Sequence, residues 1–195
     1  MSETWNQRYA QKEYVYGTEP NEFFKEQLSK LQPGKILFPA EGEGRNAVYA
    51  ALKGWEVTAF DSSEEAKKKA EKLAEKNKVS IDYQISTIED FVQEENSFDV
   101  IVLIYVHTAN REENHRKLLR FLKPDGVIIL EGFSKDQLSN QSGGPRSLEM
   151  LFSVEELKSD FKTLNDIHLS ESTIELNEGL LHIGKASVIR VIATK

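Results

Sequence analysis

Apolar positions along the chain follow two rhythms: short β-branched or aromatic runs, and longer stretches in which apolar residues recur every three or four positions. The first run, KILFP (Lys35–Pro39), is entered from the turn-forming Gln32-Pro33-Gly34 and is followed by the glycine-rich AEGEG and a helical pattern, NAVYAALK. EVTAFD (Glu56–Asp61) reads as a second strand, and the charged segment after it as a helix. The run KKKAEKLAEKNK (Lys67–Lys78) leaves Ala66, Ala70, Leu73 and Ala74 on one stripe and turns lysines and glutamates to solvent. IDYQI (Ile81–Ile85) is a short third strand. FDVIVLIYV is apolar almost without alternation, as a strand covered on both faces requires, so it is expected at the centre of the sheet. A helix from about Arg111 to Leu122, with Leu118, Leu119 and Leu122 as its apolar positions, turns through Lys123-Pro124-Asp125-Gly126 into a fifth strand, VIILEGF. After a loop and a helix near Ser153 to Phe161, an alternating segment, Ile167 to Leu176, and a last strand, ASVIRVIATK, are expected to close the sheet as a hairpin.

This alternation predicts an α/β fold: a Rossmann-like, doubly wound, mostly parallel seven-stranded sheet with an antiparallel final strand. With 195 residues and no linker, low-complexity tract or repeat, residues 1–195 are expected to form a single domain. Cysteine is absent and the first residues are polar, with no charged region preceding an apolar one, so a cytoplasmic protein is expected. The longest apolar run, Val100 to Val106, reaches about a third of the ~20 residues that a membrane helix needs, and no membrane partner is expected. A net charge of −7 without a contiguous basic stripe argues against nucleic acid as a partner. Neither a heptad pattern nor an apolar stripe stands out, and a monomer is expected.

In an open α/β sheet the ligand lies beyond the carboxyl ends of the strands. Four such ends carry suggestive residues: Glu41 to Gly44, Asp61, Tyr105 with His107, and Glu131 to Phe133. Gly42 and Gly44 permit a tight turn and close approach, and a helix beginning near Arg45 is expected to direct free N–H groups at an anionic group. Asp61 stands 19 residues beyond Gly42, near the spacing at which an acidic side chain meets a ribose diol. Gly42-Glu43-Gly44-Arg45-Asn46-Ala47 also fits the nicotinamide-dinucleotide pattern G-x-G-x-x-A, so two cofactors remain open on these residues, although a dehydrogenase normally needs a further catalytic domain. His107 is the best candidate for a general base, because an ordinary imidazole titrates near neutrality, and Tyr105 is expected to line the same cavity. His115 and His168 are expected to be structural. His182, in the connection Glu178 to Lys185, is expected to reach the substrate. The loop SNQSGGPRSLEM has the composition of a mobile substrate loop, with Arg146 as an anion contact. No metal is assigned.

The segments ILFPAEGEGRNAVYAALKGWEVTAFD, FDVIVLIYVH and LLRFLKPDGVIILEGF, in this order and spacing, resemble class I S-adenosylmethionine-dependent methyltransferases. Trp5-Asn6-Gln7-Arg8-Tyr9 and Tyr16-Gly17-Thr18-Glu19-Pro20 are similar to the W-x-x-R-Y and Y-G-x-x-P segments of the small bacterial tellurite-resistance and thiopurine-methyltransferase-like group. The resemblance spans about Trp5 to Ala193, with AEGEGRNA and SGGPR its most distinctive matches. It implies S-adenosylmethionine as cofactor and S-adenosylhomocysteine as product, with residues 1–30 covering the cofactor and 35–195 forming the core. Carried across, Ala40 to Gly44 would hold the methionine part, Asp61 the ribose hydroxyls, and Ser62 would lie against the adenosine. The chain departs from the pattern in three places. Ala40 replaces the first loop glycine, a mild change unless φ is positive. Phe38 replaces an acidic residue, leaving the cofactor ammonium to carbonyls near Ala40 and Ile104, or to Glu41. Thr87 replaces an aspartate at the adenine amino group, where Thr87 would make one hydrogen bond and Ile88 would offer its N–H. In the covering segment, Arg8 would meet the cofactor carboxylate, and Tyr9 or Tyr16 would shield the sulfonium. The implied acceptor is a chalcogen oxyanion, a thiol or selenol, or another small metabolite. It would lie between the cover, the fourth strand's end and the Gly143-Gly144-Pro145 loop, with Tyr9, Arg146 and His182 as contacts. A module that binds S-adenosylmethionine without transferring methyl is the alternative.

Overall fold

The structure, a computed structural model, describes Ser2 to Lys195. It divides into two compact units, one running to Val92 with Glu178–Leu181, the other comprising Gln93–Asn177 and His182–Lys195. The first holds α1 (Ser2–Tyr9), α2 (Glu22–Leu28), β1 (Lys35–Pro39), α3 (Arg45–Leu52), β2 (Glu56–Asp61), α4 (Glu64–Lys76) and β3 (Asp82–Ile85). Its strands lie in the order β3-β2-β1. Parallel register sets Pro39 opposite Phe60 and Asp61 opposite Ile85, so the carboxyl ends of all three strands share one edge. Ala66, Ala70, Leu73 and Ala74 of α4 are buried, the stripe that the helical spacing predicts. Ser63 caps this helix by accepting the Ala66 N–H at 3.2 Å. Ala70 packs so near the loop that a Cβ on Gly44 would stand 2.6 Å from its own, and this close helix packing is why position 44 is glycine.

The second unit holds β4 (Phe98–Ile104), α5 (Arg111–Phe121), β5 (Leu122–Phe133), α6 (Val154–Asp160), β6 (Asn165–Glu178) and β7 (His182–Thr194), with strand order β4-β5-β7-β6. β4 and β5 are parallel, whereas β7 runs antiparallel to β5, from Val127 opposite Thr194 to Phe133 opposite Val188. β5 begins five residues earlier than the apolar pattern indicates. Leu122 already pairs with Phe98, while Val127 pairs with Val100, so the expected turn Lys123–Gly126 survives as a bulge with Asp125 at φ +61°. β6 and β7 are also longer than expected, and only Gly179, Leu180 and Leu181 join them. His182 is therefore the first residue of a strand and not part of a connection. Ser153 and Glu156 form a capping box at α6. The seven strands make the mixed, mostly parallel sheet of a Rossmann-like α/β fold. Among the described residues no helix is long and apolar enough to cross a membrane.

Candidate functional site

The loop between β1 and α3 turns through three left-handed residues, Ala40 at φ +50°, Gly42 at +67° and Gly44 at +87°. The alanine at position 40 is therefore not a mild change, because its Cβ lies in the conformation that L-residues avoid. Asp61 closes the loop from the end of β2: its Oδ2 accepts the Gly42 N–H at 3.1 Å and its Oδ1 the Ser63 N–H at 2.9 Å. Burial pushes this carboxyl above its ordinary range, against the backbone bonds that favour the charge. Tyr83 donates to the Gly42 carbonyl at 2.5 Å, and the Tyr9 hydroxyl lies 2.8 Å from where a Cβ on Gly42 would stand. Burial, with the Asp61 charge adding to it, raises both phenols well above their usual range, so each remains a protonated donor. A carboxylate accepts about four hydrogen bonds. The N–H groups of Gly42, Ser62 and Ser63 take part of that capacity at Asp61, and the residues present fit a ribose diol beside it.

The start of α3 differs from expectation. Glu41 Oε1 accepts the Asn46 and Ala47 N–H groups at 2.9 and 2.8 Å, so the helix N-terminus is capped by the chain's own carboxylate instead of facing outward. Desolvation pushes Glu41 up to about 7 despite these bonds. Phe38 is buried against Phe24 of α2, with ring centroids 5.5 Å apart, which accounts for an apolar side chain at that position. The Thr87 hydroxyl donates to Asp90 Oδ2 at 2.9 Å and accepts the Asp90 N–H at 3.1 Å, closing a turn after β3. Ile88 beside it is buried, and Ser62 is half-buried. Ile104 ends β4 in the second unit, half-buried.

The N-terminal segment is fastened to this loop by groups that sequence reasoning did not single out. Glu43 is 4% exposed; its Oε2 accepts the Val15 N–H at 2.7 Å, and its Oε1 pairs with Lys69 Nζ at 2.6 Å. Lys69 thus departs from the solvated face expected for its helix. Arg45 binds Glu178 Oε2 at 2.9 Å and the Tyr16 carbonyl at 3.3 Å. Asn21 donates to Glu178 Oε1 at 3.2 Å, and the Leu180 N–H donates to the Val15 carbonyl at 2.8 Å. Arg8 and Tyr16 are brought together at 3.1 Å, with the Arg8 guanidinium 4.6 Å from the centroid of the Trp5 ring. The local signal for Glu43 was slight: a carboxylate between two glycines.

In the second unit Tyr105 follows β4 at φ +57° and donates its hydroxyl to Glu131 Oε1 at 2.8 Å. Glu131, 1% exposed, accepts Arg190 Nε on its other oxygen at 2.6 Å. The Tyr105 ring stacks on Phe133 at 4.6 Å and meets the buried His182 edge-on at 4.8 Å, so two of the expected residues lie together. His107 lies against the same Phe133 but stacks chiefly on Phe152, at 4.3 Å. Its Nε2 accepts the Phe133 N–H at 3.1 Å, which assigns the proton to Nδ1, 2.7 Å from the Met150 carbonyl. Desolvation lowers His107 to about 4. Both ring nitrogens are therefore engaged inside the fold. Arg146 is exposed and donates to the Asn140 carbonyl at 2.6 Å. The loop before it is anchored: the buried Gln137 donates to Ser142 Oγ at 3.1 Å and to the Gly143 carbonyl at 3.0 Å. His115 is buried against Asp160 at 2.7 Å, beside Arg111; His168 is exposed on β6. Among the described residues no group of three or more His, Cys, Asp or Glu side chains is gathered to hold a metal ion.

Residues 39–130 match the methyltransferase domain family. The ubiquinone biosynthesis O-methyltransferase of Rickettsia prowazekii is 33% identical over 110 residues, 55% of this chain and 42% of that protein. Its counterpart in Actinobacillus pleuropneumoniae serotype 5b is 31% identical over 121 residues, 58% of this chain and 52% of that protein. The chain thus spans about half the length of the curated relatives it matches. Among solved structures, TehB from Haemophilus influenzae superposes with a TM-score of 0.74 at 19% identity, covering 100% of this chain and 66% of that one. A SAM-dependent methyltransferase from Methanosarcina mazei superposes at 0.68 with 19% identity, covering 87% and 96%. Of the two cofactors left open by the glycine pattern, S-adenosylmethionine is the one for which the Methanosarcina mazei protein is named. Residues 39–130 are thus similar to the methyltransferase domain family, and the chain has the fold of the class I S-adenosylmethionine-dependent methyltransferases.

Proposed function

We propose that this protein transfers the methyl group of S-adenosylmethionine to a small nucleophilic acceptor. The observation that carries the reading is Asp61, buried at the end of β2 and bonded to Gly42 of the glycine loop, within the residues that match the methyltransferase domain family. In this reading Asp61 holds the ribose hydroxyls, Ala40 to Gly44 approach the methionine part, and Ser62, Thr87 and Ile88 flank the adenosine. Residues 1–30, fastened by Glu43 and Arg45, cover the cofactor, with Arg8, Tyr9 and Tyr16 on their inner side. Displacement at a sulfonium needs alignment and exclusion of water more than acid–base assistance. Tyr105 and His182 are assigned to the acceptor, Arg146 to an anionic part of it, and His107, with both nitrogens engaged, to holding β5 and the Met150 segment in place. The curated relatives are named for O-methyl transfer, which favours an oxygen acceptor over a thiol or chalcogen oxyanion. The protein acts on it as a cytoplasmic monomer.

Thermal unfolding tests the cofactor. A ligand at ~100 times its dissociation constant stabilises by about 2.7 kcal/mol, a rise of several degrees for a chain of this size. S-adenosylhomocysteine is expected to produce that rise and NAD to produce none. Asp61→Ala is expected to weaken S-adenosylhomocysteine by about 2 kcal/mol. Stabilisation by NAD alone would overturn the reading. A second reading, binding without transfer, draws on Glu41 already capping α3 and on Phe38 in the core. Affinity for S-adenosylhomocysteine with no turnover on any acceptor would favour it.

A further inference from the structure

Glu131 is the most deeply buried carboxylate of the second unit that neither caps a helix nor joins two helices, and it faces a tyrosine at the end of the central strand. Its backbone carbonyl accepts the Tyr105 N–H at 2.7 Å, and one carboxylate oxygen accepts the Tyr105 hydroxyl at 2.8 Å. Its other oxygen is held by Arg190, directly opposite across the antiparallel pair, at 2.6 Å. The Tyr105 ring is set by its stack on Phe133, itself backed by Gly144, where a Cβ would stand 2.8 Å from the Phe133 ring. Tyr105 keeps this pose at φ +57°, a backbone conformation costly for a bulky side chain, so the surroundings must over-determine it. A phenol hydroxyl both donates and accepts, and one that donates to a carboxylate can take a proton as it gives one up.

We propose that Tyr105 and Glu131 are the proton-accepting pair for acceptors that arrive protonated, with Arg190 as the residue that positions Glu131. The inference rests on the methyl-transfer reading. The acceptor's lone pair forms the bond to the methyl carbon, and the sulfur–carbon bonding pair stays on sulfur. The acceptor's proton passes to Tyr105 Oη while the Tyr105 proton passes to Glu131 Oε1. The carboxylic acid so formed remains beside Arg190 and returns its proton to solvent between turnovers. His107 takes no part in this step.

The test uses two acceptors of like shape and unlike protonation: catechol, protonated at mildly alkaline pH, and thiophenol, largely thiolate there. The variants are Tyr105→Phe, which keeps the ring and the Glu131–Arg190 pair, and Glu131→Gln, with S-adenosylhomocysteine stabilisation as the check that each is folded. On catechol, kcat is expected to fall by roughly 100-fold or more in both variants, the typical contribution of a general base. On thiophenol it is expected to change by less than about threefold, because a preformed thiolate has no proton to give. Equal losses on both acceptors, or none on catechol, would overturn the inference and leave the methyl-transfer reading standing. A wild-type protein that methylates neither acceptor overturns the reading itself, and the inference with it.

Discussion

Ala40 shows how one methyl group can carry a measurable cost. At φ +50° its Cβ sits where an L-residue is disfavoured by about 1–2 kcal/mol, and glycine would remove that penalty. Glycine also gives the unfolded chain more freedom, which returns roughly 0.4–1 kcal/mol. Ala40→Gly is therefore expected to stabilise the protein by about 1 kcal/mol, visible as a rise of about 3 °C in thermal unfolding; a fall in the midpoint would show that the methyl makes a contact worth more than the strain. The tight turn at Gly42 and Gly44 and the place of Asp61 at the end of β2 were legible in the sequence, because each follows from its position at a strand end. The backbone sign at Ala40 was not, because alanine is compatible with either. Glu43, Arg45 and Lys69 were illegible for another reason: their partners Val15 and Glu178 lie far along the chain, and nothing local distinguishes a buried charge from a solvated one. Tyr105 and His107 were both legible as strand-end residues, but the bonds that separate them, to Glu131 and to Met150, come from segments that only tertiary packing brings near.

At the scale of elements, the strands and α4 were readable from periodicity, since their apolar stripes face a core regardless of what lies beyond it. The two N-terminal helices were not foreseen; α1 is short and polar, and it is held by Asn6 accepting from the Ser63 hydroxyl at 2.6 Å. The segment from Val15 onward depends instead on Glu43, which binds the strap and Lys69 with one carboxylate. Truncating it leaves an ammonium only 14% exposed and two strap N–H groups without their acceptor. Breaking a buried pair by removing one partner typically costs about 3–5 kcal/mol. Lys69 keeps a bond to the Glu13 carbonyl at 2.6 Å, so the lower end applies here. Glu43→Ala is expected to open the strap locally, with hydrogen exchange at Val15 and Tyr16 accelerating while the β4 and β5 amides keep their protection. Unchanged exchange at Val15 would show that the Leu180 and Arg45 contacts suffice without the carboxylate.

For the whole molecule, the net charge of −7 says little about how stability varies with pH, because two groups with opposite shifts decide the middle of the range. Glu41 is raised from 4.5 to about 7, so the folded protein holds a proton there that the unfolded chain has lost, and stability falls as pH rises between those values. His107 is lowered from 6.5 to about 4, so the unfolded chain takes up a proton that the folded protein refuses, and stability falls as pH drops through that window. From about pH 4.5 to 6.5 the two slopes oppose and largely cancel. Asp61, also raised, and Asp160, lowered by its His115 and Arg111 bonds against the effect of burial, contribute alike to wild type and variant, so a difference measurement removes them. Glu41→Gln keeps an oxygen for the Asn46 and Ala47 N–H groups but cannot titrate. Relative to wild type, its denaturant midpoint is expected to climb with pH across this window. One proton difference corresponds to about 1.4 kcal/mol per pH unit, which is the upper bound on the slope of this difference. Two parallel profiles would mean that Glu41 titrates in the folded protein as it does in the unfolded chain, and that capping α3 lowers its affinity for the proton as much as desolvation raises it.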